Sequence, residues 1–335
     1  MIKVGVIGYG YWGPNLVRNF SEISGSSVVS VSDLRSERLA LAKNRYPTIR
    51  TITDHQELIA DPAIDAVVIA TPVSTHFNLA MQALEDGKHI LVEKPMTATA
   101  DEGVRLIKKA RKLKRVLLVD HTFVYMGAVR KIRELIQKGE LGEIYYYDST
   151  RVNLGLFQHD VNVTWDLAVH DLAILDYVLG AKAIAVSATG ISHVSNAPEN
   201  VAYMTLFFDS SLIAHINVNW LSPVKVRLTL IGGSKKMIVF DDLQPSEKIK
   251  IYDTGITVNN NPDSLYDVLI GYRTGDMWAP KFDTTEALRA EALHFVDCVE
   301  NGRTPDTNGE MGLRVVQILE AATKSIREKG KLISL

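Results

Sequence analysis

The sequence predicts an α/β protein. An N-terminal Rossmann-type doubly wound parallel sheet is followed by a C-terminal α+β domain with an open, mostly antiparallel mixed sheet. Three observations predict this. Over the first 120 residues, short β-branched runs alternate with amphipathic stretches. The first run, Lys3-Val4-Gly5-Val6-Ile7, leads straight into Gly8-Tyr9-Gly10-Tyr11-Trp12-Gly13. Between 181 and 252, runs of approximate period two follow one another without intervening helices.

Strands are expected at 2–7, 27–32, 65–70, 88–92 and 116–119, and helices at 14–23, 36–44, 54–60, 75–86 and 99–112. Ala66-Val67-Val68-Ile69-Ala70 is apolar throughout, as a strand covered on both faces requires. Pro14 suits a first helical turn, and Gly87 follows Glu85-Asp86 at a helix end. Next come a helix over 127–137 ended by Lys138-Gly139, a long strand over 143–152, and a helix over 164–179 ended by Gly180. The period-two runs include 202–208 and 212–220. Residues 253–285, rich in Asn, Asp and Gly, read as an irregular lid or interface loop, and two helices close the chain at about 285–301 and 308–329. The expected division is a dinucleotide-binding domain over 1–120 and a substrate-binding and oligomerisation domain over 121–335.

Composition narrows the function classes. The 335 residues are 46% hydrophobic and 23% charged, with a net charge of -2. That balance argues against nucleic acid or an anionic membrane as partner. The basic cluster Lys108–Arg115 falls at a predicted helix end, where cations offset the dipole. Cys298, the single cysteine, makes neither an internal disulfide nor a cysteine-based zinc cluster, and no metal is expected. With no leader-like N-terminus and no long uncharged stretch, a cytoplasmic protein is expected.

The glycine motif sits between a strand and a helix, the context that makes it a dinucleotide fingerprint. Gly8 permits the tight turn, Gly10 lets backbone approach the pyrophosphate, and Gly13 lets helix pack on strand. Tyr11 and Trp12 are counted with them as cofactor-binding. Asp33, at the end of the second strand, is placed to accept from the adenosine ribose and to repel a 2′-phosphate, which favours NAD. Arg35 and Arg38 keep NADP as the lesser alternative, because a guanidinium accommodates that phosphate.

Ligands of doubly wound sheets bind beyond the C-terminal strand ends. Ala70-Thr71-Pro72, followed by His76, and Glu93-Lys94-Pro95 lie at two such ends. A lysine there is either a solvated edge residue or a donor that stabilises a developing alkoxide. In the second half, Asp166 and His170 share one face if Trp165–Asp171 is helical. A carboxylate beside an imidazole suits general-base work, although the same spacing makes a helix-surface ion pair.

Taken together, the glycine opening, Ala70-Thr71-Pro72 with His76, Glu93-Lys94-Pro95 and Asp166-x3-His170 resemble the glucose-fructose oxidoreductase / inositol dehydrogenase / rhizopine-catabolism family of NAD(P)-dependent oxidoreductases. The resemblance spans nearly the whole chain. It implies that Lys94 contacts both nicotinamide and the reacting hydroxyl, that His170 accepts the proton, and that Asp166 holds the substrate. It also implies a cis peptide before Pro95, a cofactor groove lined by Ala70, Thr71, Pro72 and His76, and Glu93 beside the nicotinamide ribose. His121 matches a position near the nicotinamide, but Asp120-His121-Thr122-Phe123-Val124-Tyr125 departs from the Asn-x-Arg-Phe-like run usual there.

Residues 151–165 join the long strand to the catalytic helix and are expected to flank the substrate. Arg151, Asn153, Gln158 and Asn162 offer hydrogen bonds, and Trp165 offers a face for sugar C–H groups; a structured polar loop reads the same way. This stretch resembles family members of nucleotide-sugar biosynthesis, which implies a hydride exchanged with a sugar carbon, such as the 3-position of a UDP-N-acetylhexosamine or its uronate. Arg151 would meet a carboxylate or phosphate. A free sugar or inositol is the alternative substrate. An NAD-dependent glycosidase and a non-catalytic dinucleotide-binding regulator are the alternative functions. The half-apolar sheet over 181–252 predicts a homodimer or homotetramer.

Overall fold

The computed structural model describes all residues except 156–160 and 259–269, and Gln158 therefore lies outside the described residues. The chain forms two compact units, residues 1–126 with 285–320, and residues 127–284 with 321–335.

The first unit is built on a parallel sheet of six strands. These are β1 (Ile2–Ile7), β2 (Ser26–Ser32), β3 (Arg50–Ile52), β4 (Ala66–Ile69), β5 (His89–Glu93) and β6 (Leu117–Asp120). Helices α1 (Gly13–Glu22), α2 (Ser36–Arg45), α3 (His55–Ala60), α4 (Val73–Glu85) and α5 (Ala100–Lys112) connect them. The strand order is β3-β2-β1-β4-β5-β6, so the chain reverses direction across the sheet between β1 and β4. Alternate strand residues feed two cores. Val4, Val6, Val68, Leu91 and Leu118 pack on one face, and Val67, Ile69, Ile90, Val92 and Val119 on the other. That is why the strands read as continuously apolar. The three-residue β3 carries no pattern strong enough to be foreseen.

The second unit begins with α6 (Gly127–Gln137) and β7 (Ile144–Leu154). The helix expected over 164–179 is in two parts, a π-helical turn at Thr164–Ala168 and then α7 (Val169–Leu179), which ends on the left-handed Gly180. Strands β8 (Ala183–Ile191), β9 (Val201–Phe208), β10 (Ile213–Asn219), β11 (Leu221–Gly233), β12 (Met237–Asp241) and β13 (Ile249–Tyr252) follow. The stretch expected to be irregular contains β14 (Gly255–Val258), β15 (Ile270–Arg273) and β16 (Met277–Trp278), of which β16 pairs with β13. Period two is explicit in β10, where Ala214, Ile216 and Val218 are buried and their neighbours are not. Among the described residues, β10–β7 is the one parallel pair of this sheet.

Helix α8 (Ala287–Asn301) and the start of α9 (Gly309–Arg327) belong to the first unit, whereas β17 (Ile333–Ser334) edges the second unit's sheet beside β8. By contacts, α8 and the start of α9 thus group with the N-terminal segment. The reason is the apolar stripe of α1. Leu16, Val17 and Phe20 are covered by Leu288, Ala292, Phe295 and Val296 of α8, and the Phe20 and Phe295 rings meet edge-to-face at 5.9 Å. Among the described residues, no helix is long and apolar enough to cross a membrane.

Candidate active site

The glycine loop is shaped by two positions where a side chain has no room. Gly8 has φ +98°, and a Cβ there would lie 2.3 Å from the Ala70 carbonyl oxygen. A Cβ on Gly13 would lie 2.1 Å from the Gly8 carbonyl oxygen. Both backbones are thus in direct contact at the β1/β4 switch point, where such sheets bind ligands. At Gly10, the Cβ position lies 3.5 Å from Arg35 Nη2, with no other described residue within 4 Å beyond its chain neighbours.

Asp33 follows β2 and is fixed from two sides. Its Oδ2 accepts from the Tyr9 backbone N–H at 2.7 Å, and its Oδ1 from the Arg35 backbone N–H at 2.9 Å and from Arg35 Nε at 3.2 Å. Burial alone would raise its pKa, but the hydrogen bonds from Arg35 and Tyr9 outweigh that and hold it below the ordinary range. The carboxylate is charged at the place where an adenosine ribose belongs. A cradle without Cβ atoms, a helix starting at Gly13 and an anionic acceptor at the β2 end all fit a dinucleotide.

His76 ties the other two strand ends together. The ring is buried, with Nδ1 2.9 Å from the Pro95 carbonyl and Nε2 2.8 Å from the Thr71 carbonyl. Burial holds its pKa below the ordinary histidine range, while the hydrogen bonds to the two carbonyls act in the opposite sense. It works here as a clamp between the Thr71-Pro72 and Lys94-Pro95 loops. The Lys94–Pro95 peptide is cis, as the family resemblance implied.

Three carboxyls meet at the end of this sheet. Glu93 and Asp120 are register partners on β5 and β6, and Glu291 reaches them from α8. Asp120 lies within hydrogen-bonding range of both glutamates. Asp120 Oδ2 accepts from Trp12 Nε1 at 2.9 Å, and its Oδ1 from the Thr122 hydroxyl. Glu93 Oε2 accepts from the Lys94 backbone N–H at 3.2 Å. Burial first, and then the Asp120 charge, push Glu93 and Glu291 well above the usual carboxylate range. His121 is buried next in sequence. Neither ring nitrogen meets a partner among the described residues, and burial brings its pKa down to about 4.

In the second unit, Asp166 sits in the π-helical turn and His170 in the first turn of α7. The wider turn rotates Asp166 relative to a regular helix; such turns are frequent at functional sites. Trp220, fully buried, donates from Nε1 to Asp166 Oδ2 at 3.0 Å and so orients the carboxylate. Asn162 Oδ1 accepts from the Thr164 backbone and hydroxyl and from the Trp165 N–H, and Trp165 Nε1 donates to Thr323. The substrate contact expected of Arg151 does not fit its surroundings. Arg151 is 3% exposed. Its Nε donates to Asp171 Oδ2 at 2.7 Å and its Nη2 to Oδ1 at 3.1 Å, while the Ser149 hydroxyl adds 2.8 Å to Oδ1. The guanidinium is an internal counter-ion, because Asp171 is buried and needs one. Asn153 lies partly buried near the end of β7.

Comparison with known sequences decides the lineage. The model described as "Oxidoreductase family, NAD-binding Rossmann fold" matches residues 2–121, and "Oxidoreductase family, C-terminal alpha/beta domain" matches 133–334. The chain belongs to the Gfo/Idh/MocA oxidoreductase family. As a Gfo/Idh/MocA protein it is an NAD(P)-dependent oxidoreductase of the sugar and inositol dehydrogenase type. It is 32% identical over 325 residues to UDP-N-acetylglucosamine 3-dehydrogenase of Acidithiobacillus ferrooxidans, covering 94% of each chain. It is 27% identical over 341 residues to scyllo-inositol 2-dehydrogenase (NAD(+)) of Bacillus subtilis, covering 98% of this chain and 93% of that one. Its fold matches that of GenD2 from gentamicin A biosynthesis in complex with NAD, with a TM-score of 0.84 at 21% identity, covering 100% and 96% of the two chains.

Within the first unit of this Gfo/Idh/MocA chain, Gly8, Gly10, Gly13, Asp33, Ala70, Thr71, Pro72, His76, Glu93, Lys94 and His121 all lie at the C-terminal ends of the parallel strands. Arg38 is in the first turn of α2, and Tyr11 is 84% exposed. Asp120, Glu291 and Trp220 went unnoticed in the sequence. For Glu291 a signal existed: with Leu288, Ala292 and Phe295 it occupies the i, i+3, i+4, i+7 stripe of a buried helix face.

Proposed function

We propose that this oxidoreductase uses NAD to exchange a hydride with a hydroxyl-bearing carbon of a nucleotide-linked sugar. The observation that carries the cofactor assignment is Asp33, charged and held by Arg35 and the Tyr9 N–H. A 2′-phosphate would meet that charge, and the nearest guanidinium is already engaged by it. The substrate class draws on the 32% identical relative, which acts on UDP-N-acetylglucosamine.

When bound, the nicotinamide supplies the hydride acceptor. The residues supply the rest. Lys94 places a compact positive charge where the alkoxide develops. His170 takes the hydroxyl proton as general base. Asp166, oriented by Trp220, holds the substrate. Glu93 fixes the Lys94 backbone from the neighbouring position, and His121 offers the nicotinamide two buried ring nitrogens.

A free cyclitol is the second reading. It is favoured by the engagement of Arg151 with Asp171, which removes the side chain expected to meet a phosphate or carboxylate. Calorimetric titration of the NAD-loaded protein separates the two. Saturable binding of UDP-N-acetylglucosamine is expected; binding of scyllo-inositol alone would select the cyclitol. Titration with NADH and NADPH should favour NADH, and tighter NADPH binding would remove the role given to Asp33. We also propose a homo-oligomer covering the partly exposed face of the second sheet, which includes Tyr203 and Ile213. A monomer by light scattering at micromolar concentration would exclude it.

A further inference from the structure

A helix that returns to the first unit after residue 285 delivers a carboxyl to the strand end carrying Lys94. Glu291 is completely buried; the Thr122 hydroxyl beside it already donates to Asp120 Oδ1, which leaves its two oxygens without a donor of their own among the described residues. Glu93 Oε1 is in the same condition. Asp120 is the opposite: Trp12 donates to one oxygen and Thr122 to the other. Counting donors settles the roles. A carboxylate that already receives two donors is the acceptor of the group, so its carboxyl neighbours must bring protons of their own.

We propose that Glu291 is a positioning residue for Lys94, a protonated carboxyl that donates to Asp120 and so locks the Asp120–Glu93 pair supporting the Lys94 backbone. This rests on the role given to Lys94 above. The chain of contacts is continuous: Glu291 to Asp120, Asp120 beside Glu93 in register, and Glu93 Oε2 to the Lys94 N–H. Asp120 also anchors Trp12, so the glycine loop and the lysine loop share one acceptor. The other titratable groups facing the cluster are Lys94, His121 and Tyr125. The Lys94 cation favours ionised Glu93, whereas burial and Asp120 oppose ionisation of both glutamates and prevail.

Two readouts test this. Glu291→Met keeps the volume and removes the donor; kcat should fall about tenfold to a hundredfold, the cost of a slightly misplaced reacting group. Glu291→Gln keeps a donor and cannot ionise, and should recover most of that loss. Equal loss in both variants, or none in E291M, would overturn the proposal. Thermal melting with pH gives the second readout, independent of substrate. A folded pKa raised above the unfolded one means the folded state binds more protons between the two, so wild-type stability declines as pH rises through that window. Gln has no such loss. The Tm of E291Q relative to wild type should therefore climb as pH rises above the ordinary glutamate range, and a flat difference would overturn the protonated Glu291. If no sugar is turned over by the wild type, the reading of Lys94 fails, while the melting series still decides whether Glu291 holds its proton.

Discussion

Replacing Lys94 with alanine is expected to lower kcat by about 10²–10⁴-fold and to leave NAD binding within a few-fold. The asymmetry follows from where the residue sits. The cofactor's phosphates and adenosine ribose are assigned to the glycine loop after β1 and to Asp33 after β2, whereas Lys94 follows β5. Lys94 follows β5, with the neighbouring loop held by His76 and its own N–H held by Glu93. That much fixed structure around one ammonium suits a charge used only as an alkoxide develops, which lowers kcat and kcat/KM together when lost. Lys94→Arg should rescue little, because a planar fork does not replace a compact charge. His170→Ala should show a loss of the same order, since the proton then lacks its acceptor. Steady-state kinetics with a separate NAD titration checks both, and near-wild-type kcat in both variants would remove the mechanism.

Asp171→Ala is expected to destabilise the fold by about 3–5 kcal/mol, a third or more of a typical domain's stability. The Arg151–Asp171 pair is almost fully buried, with two hydrogen bonds between guanidinium and carboxylate and a third from Ser149. Removing the acid leaves a buried cation without the acceptor of both of these hydrogen bonds. Replacing both partners, as in Arg151→Met with Asp171→Leu, should recover much of the loss, because the isolated charge rather than the missing attraction is the expense. Urea unfolding of the two single variants and the double variant measures this. A single loss below about 1 kcal/mol, as for exposed pairs, would mean that the pair is solvated and that Arg151 is available to substrate after all.

Much of the first unit was legible because its rules are local. Strands buried on both faces are apolar at every position, as in Ala66–Ile69, and the helices between them keep one stripe. Gly8 and Gly13 announce themselves because no other residue fits against the Ala70 and Gly8 carbonyls. What escaped depends on long-range partners. Arg151 looks like an anion site until Asp171, twenty positions on, closes on it. The π turn around Asp166 is a matter of hydrogen-bond register, and the spacing to His170 reads the same in either helix. Glu291 belongs to a sheet end formed some 170 residues earlier in the chain, and only the return of α8 onto α1 brings it there. Strands β14, β15 and β16 hide in a segment whose Asn, Asp and Gly content signals turns.

The central claim is that this chain moves a hydride between a sugar hydroxyl and NAD. Reduced-nicotinamide absorbance tests it most directly, recorded while wild-type protein and NAD are mixed with UDP-N-acetylhexosamines, their uronates, free sugars and inositols. Stoichiometric or catalytic NADH formation with at least one of these, largest for a nucleotide-linked sugar, is the predicted result. Release of an aglycone with no net NADH, or no signal from any substrate despite tight NAD binding, would contradict it.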